Sequence, residues 1–164
     1  MAETQPHPCS NAALRRATRR LGQLYDDALA PTGLKATQFG LMGQIRLLDR
    51  PSMGELAAAM VMDLSALGHT LRPLTRDGLV ALVVDPRDRR SRRVALTEAG
   101  EARFRAAFRL WRGAQARFEA TLGTEKALLL RTLLDEIAAP PFAAAFAAPG
   151  SDPAGPDPDR ASER

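Results

Sequence analysis

Cysteine occurs once in this 164-residue chain, at Cys9, and histidine twice, at His7 and His69. A lone thiol excludes an intrachain disulfide, and these donors are too few for a zinc cluster, so no metal is expected. Aromatic residues make up only 5% of the chain, which argues against the aromatic-rich strands of an all-β fold. Nowhere do about 18 apolar residues follow one another without interruption. The N-terminus also lacks a charged stretch leading into an apolar one, so the expectation is a cytoplasmic protein with no membrane partner. A phosphate-cradling glycine loop, a metal-ligand set and a Ser-His-Asp pairing are missing as well, which sets aside an enzyme and predicts no cofactor.

Hydrophobic residues nevertheless reach 45%, with alanine and leucine prominent, so the core is expected to be built from helices. The length suits one domain, typically about 100–200 residues. The net charge of +4 fits a chain that meets polyanions. Lysine is scarce, at Lys35 and Lys126 alone, so nearly all the basic charge is arginine, and a GC-rich genome biases codons that way without any function. Placement has to decide.

Residues 1–10 carry Pro6 and Pro8 without periodicity and read as a flexible arm. From Asn11, Leu14, Ala17, Leu21, Leu24 and Ala28 recur at helical steps while Arg15, Arg16, Arg19 and Arg20 take the other positions, predicting an amphipathic helix that ends near Pro31 and Gly33. A second helix is predicted after Thr37 as N-cap, stopped by Asp49, Arg50 and Pro51. Ser52 with Glu55 three residues on is a capping box for a short helix, Met53 to Met60. Asp63 then caps a helix through Leu64, Leu67, Leu71 and Leu74, ended by Gly78. Two short helices joined by so tight a turn form a helix-turn-helix. Leu79 to Val84 and Arg93 to Leu96 read as strands of a β-hairpin. Thr97 caps a long helix with Phe104, Phe108, Trp111, Ala114, Phe118 and Leu122 on one face, and Thr124 caps a last one, stopped by Pro140 and Pro141. Residues 142–148 remain as a short apolar segment, and 149–164 read as a disordered tail. The fold class is mainly α with a small β-hairpin wing.

Arg87, Arg89, Arg90, Arg92 and Arg93 are five arginines within seven residues at the tip of that hairpin, more than Asp85 and Asp88 can neutralise. A narrow minor groove is a natural receptor for arginines presented in this way. An isolated run of this kind reads better as a solvated turn; its position just after a helix-turn-helix reverses that preference.

The run Asp85-Pro86, Asp88-Arg89-Arg90, Val94-Ala95-Leu96-Thr97 and Gly100, preceded by Leu56-Ala57-Ala58, Asp63-Leu64-Ser65 and Gly78-Leu79-Val80, resembles the MarR family of bacterial regulators from about Leu14 to Ile137. The resemblance implies one unit over residues 11–148. Its winged helix-turn-helix spans about 35–97, and dimerisation helices at about 11–30 and 98–148 interlock in a homodimer. It also implies a double-stranded DNA partner with a near-palindromic operator. Leu64, Ser65, Ala66, Gly68, His69 and Arg72 would face the major groove. On the wing, Asp88 would hold Arg90 in the minor groove, with Arg87 and Arg89 on phosphates and Arg92 beside them.

Four residues, in three places, depart from the family pattern. Val61 stands where such turns often use glycine, and a β-branched residue tolerates positive φ badly, so a differently shaped turn is expected. Ala66 and Gly68 replace residues that often carry hydroxyls. Pro73 inside the recognition helix predicts a kink or an early end.

The resemblance further implies release of DNA by a small aromatic effector or by oxidation. Tyr25, Gln38, Phe39, Met42, Met60, Phe108 and Trp111 are the candidate pocket residues; at helical spacing most read better as core, and the polar ends of Tyr25 and Gln38 single those two out. Cys9, just before the first helix, is the candidate redox residue. The sequence thus points to a sequence-specific transcriptional repressor. The alternative is a winged-helix DNA-bridging or protein-interaction module without an effector.

Overall fold

The computed structural model describes residues 9–85, 88 and 92–148. The described residues divide into two compact units, one ending at residue 118 and the other beginning at residue 119. In the first unit, α1 (Ser10–Leu29) runs into a 3-10 turn, Ala30–Thr32, that holds Pro31 and closes on Gly33 at φ +71°. Then follow α2 (Ala36–Leu47), α3 (Met53–Ala59), α4 (Leu64–Arg76), β1 (Val80–Val84), β2 (Arg92–Leu96) and α5 (Glu98–Leu122), whose final turn belongs to the second unit. That unit adds α6 (Thr124–Ala138) and α7 (Pro140–Ala147).

The core of the first unit is aliphatic. Leu29, Leu41, Met42, Leu56, Leu67, Leu74 and Val94 are fully enclosed, drawing one or two side chains from each of α1 to α4 and β2. One aromatic seam joins α2 to α5: Phe39 stacks on Phe104 at 5.0 Å between ring centroids and meets Trp111 at 5.9 Å. β1 and β2 pair antiparallel from Val80↔Leu96 to Val84↔Arg92. The hairpin is fastened through the middle of β2 to the connection between α2 and α3, where the Val94 amide donates to the Pro51 carbonyl at 2.8 Å.

Several boundaries differ from the expectation for local reasons. α2 is capped by Lys35, not Thr37: Gln38 Oε1 accepts the Lys35 amide at 2.9 Å and Asp26 Oδ1 accepts the Ala36 amide at 2.7 Å, so one local side chain and one from the preceding helix do the work expected of a single hydroxyl. Gly123, at φ +92°, precedes α6, and Thr124 is its first helical residue instead of its cap. The apolar segment after Pro140 is a helix, because prolines are tolerated in a first turn whose amides have no intrahelical partner. α4 continues through Pro73 to Arg76 and does not end early. Leu71 and Leu74 on either side of the proline are buried, and the Asp77 amide reaches the Pro73 carbonyl at 2.9 Å.

Candidate nucleic-acid interface

α3 and α4 are each started by a side-chain cap, which fixes where they point. Ser52 Oγ accepts the Glu55 amide at 3.2 Å, and Glu55 Oε2 accepts the Ser52 amide at 2.7 Å. The bond from the Ser52 backbone, aided by the Ser52 side chain and by Arg93, holds the Glu55 carboxyl below its ordinary pKa. Asp63 Oδ1 accepts the Ala66 amide at 2.7 Å and opens α4.

Between them the chain reverses at Met60-Val61-Met62, with the Met62 amide bonded to the Ala57 carbonyl at 2.9 Å. Val61 sits at φ +51°, with 70% of its surface exposed. The turn therefore keeps its left-handed shape and is not reshaped, and valine accepts the unfavourable conformation that glycine would take freely. Leu56 before the turn and Leu67 after it are both fully buried, so the turn joins two helices anchored in the same core.

On α4, Leu67, Leu71 and Leu74 face the core while Ser65, His69 and Arg72 are exposed at steps of four and three, forming one outward stripe. Leu64, at the leading end, is 58% exposed. Ala66 and Gly68 are half-buried. Gly68 and Arg72 also border a cleft of about 410 Å³ that Met53, Leu71, Val80 and Leu82 line with apolar surface.

On the wing, Arg92 opens β2 opposite Val84 and Asp88 is exposed. Arg87, Arg89 and Arg90, and with them the expected pairing of Asp88 with Arg90, lie outside the described residues. Arg93 is the residue that sequence reasoning missed. Its Nε donates to Asp85 Oδ2 at 2.7 Å and its Nη1 to Glu55 Oε2 at 2.8 Å. It was counted with the surplus basic charge of the hairpin, and its two acceptors, eight positions before it and 38 before it, are joined to it only by the fold.

The candidate effector residues lie in the first unit. Met42 is fully buried, Phe39 nearly so, and Met60 packs against the same core. Phe108, 41% exposed, stacks on Trp111 at 5.4 Å. The polar ends of Tyr25 and Gln38 find partners within the chain: Tyr25 Oη donates to Gln115 Oε1 at 2.7 Å, and Gln38 caps α2. Cys9 is exposed and free, and its carbonyl accepts the Ala13 amide at 3.1 Å as the N-cap of α1. Among the described residues no group of three or more His, Cys, Asp or Glu is placed to hold a metal ion. No described helix is long and apolar enough to cross a membrane.

No family model matches the chain. The transcriptional activatory protein BadR of Rhodopseudomonas palustris is 33% identical over 100 residues, 57% of this chain and 51% of BadR, so the chain spans about half the length of that curated relative. The crystal structure of the M. tuberculosis transcriptional regulator MosR in complex with DNA superposes with a TM-score of 0.74 at 36% identity, covering 86% of this chain and 100% of that one. The transcriptional repressor CouR bound to a 23-mer DNA duplex superposes with a TM-score of 0.72 at 26% identity, over 80% of this chain and 93% of that one.

Proposed function

The chain belongs to the MarR family of winged helix-turn-helix transcriptional regulators, and from that premise we propose that it binds specific DNA sequences as a homodimer and represses transcription. One observation carries the reading: α4, capped at Asp63 and packed through Leu67, Leu71 and Leu74, turns Ser65, His69 and Arg72 outward in a single stripe. Such a stripe suits the major groove, where arginine reads guanine and phosphates fix the register. Leu64, Ala66 and Gly68 complete the approach surface. The wing arginines Arg87, Arg89, Arg90 and Arg92 supply minor-groove and phosphate contacts, with Asp88 orienting Arg90.

Dimerisation is supported by the second unit, where Leu128, Leu129, Leu133, Leu134 and Ile137 on α6 and Phe142 and Phe146 on α7 are all exposed. A soluble monomer rarely leaves so many large apolar side chains together in water. A second copy of the chain covers them and pairs the two recognition helices.

Selection from a random duplex library tests the reading. Enrichment of a near-palindrome with half-sites about one helical turn apart, roughly 10 bp, is expected; enrichment of no sequence over bulk DNA sinks it. CouR is described as a repressor and BadR as an activatory protein, so the sign is tested separately. Deleting the gene raises transcription from the selected promoter if the protein represses, whereas a fall favours activation.

An effector also belongs to the proposal. CouR of Rhodococcus jostii has been solved with p-coumaroyl-CoA bound, and Phe108, 41% exposed and stacked on Trp111, offers this chain an aromatic surface for a small aromatic ligand. Oxidation of the exposed Cys9 is the second candidate trigger, and Cys9→Ser separates the two: it abolishes release by peroxide and leaves release by a ligand unchanged.

A further inference from the structure

The arginine-rich hairpin contains one arginine whose charge is already spent. Arg93 bonds to Asp85, whose side chain is 7% exposed, at the point where β1 runs out, and to Glu55 on α3. Glu55 uses the same oxygen, Oε2, to hold the Ser52 amide. Backbone contacts run alongside: Arg93 pairs with Val83 across the hairpin and forms an isolated β-bridge with Ser52, and the next amide, that of Val94, reaches the Pro51 carbonyl. One guanidinium thus clamps β1 to β2 and ties both to the N-cap of the first helix of the helix-turn-helix. A planar fork with several fixed donors can bridge two carboxylates in this way, and an ammonium cannot reproduce that geometry.

We infer that Arg93 is a positioning residue, which sets the angle of the wing on the helix-turn-helix through Asp85 and Glu55 and makes no DNA contact of its own. The inference rests on the DNA-binding reading above and adds a division of labour among the hairpin arginines. It carries an unusual sign. Asp85 is negative and lies near the surface assigned to a polyanion, so on charge alone its neutralisation should strengthen DNA binding. If Asp85 serves to hold Arg93, neutralising it weakens binding.

The test measures affinity for the duplex that the wild-type protein itself enriches from a random library. Asp85→Asn, Arg93→Gln and Arg93→Lys are each made in the intact chain and in a chain carrying Arg87→Ala, Arg89→Ala and Arg90→Ala together. In the intact chain all three variants are expected to lose on the order of tenfold in affinity, and in the triple-alanine chain to lose nothing more, because the tip they orient no longer reads DNA. Tighter binding by Asp85→Asn, equal losses in both backgrounds, or full rescue by lysine would each overturn the inference, the last two by making Arg93 a direct contact or a mere charge. Amide hydrogen exchange of the free protein gives a readout without DNA. Asp85→Asn and Arg93→Gln speed exchange at Val84 and Arg92 and leave α1 unchanged, whereas an undisturbed hairpin contradicts the clamp even if no duplex is enriched. Failure of the wild-type protein to enrich any duplex counts against the proposed function, not against the clamp.

Discussion

Gly100 lies so close to Leu79 that a methyl group on it would collide with the Leu79 carbonyl oxygen. That oxygen accepts the Thr97 amide at 3.1 Å, while Thr97 Oγ1 donates to the Gly78 carbonyl and accepts the Gly100 amide. The start of α5 is thereby laid against the start of β1, and glycine is required by close approach, not by backbone conformation. Gly100→Ala is expected to destabilise the fold by about 1–3 kcal/mol, the usual range for overpacking. Gly40, within α2, has open space where a Cβ would stand, so Gly40→Ala is expected to stabilise by up to about 1 kcal/mol. Urea unfolding of both variants checks the contrast, and equal effects would contradict it.

Val61 makes the opposite case. Its positive φ costs on the order of 1–3 kcal/mol for a side chain other than glycine, and its exposure means that little packing is lost on removing it. Val61→Gly is expected to raise stability by about 1 kcal/mol after allowing for the greater freedom of glycine in the unfolded chain. A lower urea midpoint would show that the valine contributes contacts of its own.

Glu55 gives the fold a sensitivity to acid. Hydrogen bonds from the Ser52 amide and hydroxyl region, aided by Arg93, lower its pKa from an ordinary 4.5. A carboxylate depressed in this way contributes stability that is complete above its unfolded pKa and is lost as the pH falls through the lower folded value. The contribution of Glu55 is therefore constant from neutral pH down to its ordinary value and declines below it. Glu55→Gln should lower stability at neutral pH and shrink its gap to wild type as acid is added. A gap that stays constant between about pH 7 and pH 3 would contradict this.

In the second unit, Leu129 is 58% and Phe146 79% exposed. Leu129→Glu and Phe146→Glu are each expected to shift the chain from dimer to monomer in sedimentation equilibrium while circular dichroism stays unchanged. An unchanged dimer would place the interface elsewhere.

What could be read in the sequence was what local chemistry determines. The Ser52/Glu55 capping box, the Asp63 cap and Gly78 as terminator all follow from residues within a few positions of one another. The cap of α2 was misplaced because Asp26, ten residues upstream, completes it. Pro73 suggests a kink or an early end by local propensity, which does not count the burial of Leu71 and Leu74 that carries α4 on to Arg76. Arg93 was missed for the same reason: only the folded chain brings Glu55 and Asp85 to it. The outward residues of α4 were legible, since three-and-four periodicity separates Ser65, His69 and Arg72 from Leu67, Leu71 and Leu74.

On the proposed function, α4 and the wing read DNA together. The most direct measurement is a titration of wild type, Arg72→Ala and Arg90→Ala against the enriched duplex and a scrambled one, over a range of salt concentrations. The account predicts tight binding by wild type to the enriched duplex alone, weakening steeply with salt as counterions are released. Each substitution should cost about 1–3 kcal/mol on that duplex if it removes a base contact, or flatten the salt slope by about one if it removes a phosphate contact. Wild type that binds both duplexes alike, or substitutions that leave affinity and slope unchanged, would contradict it.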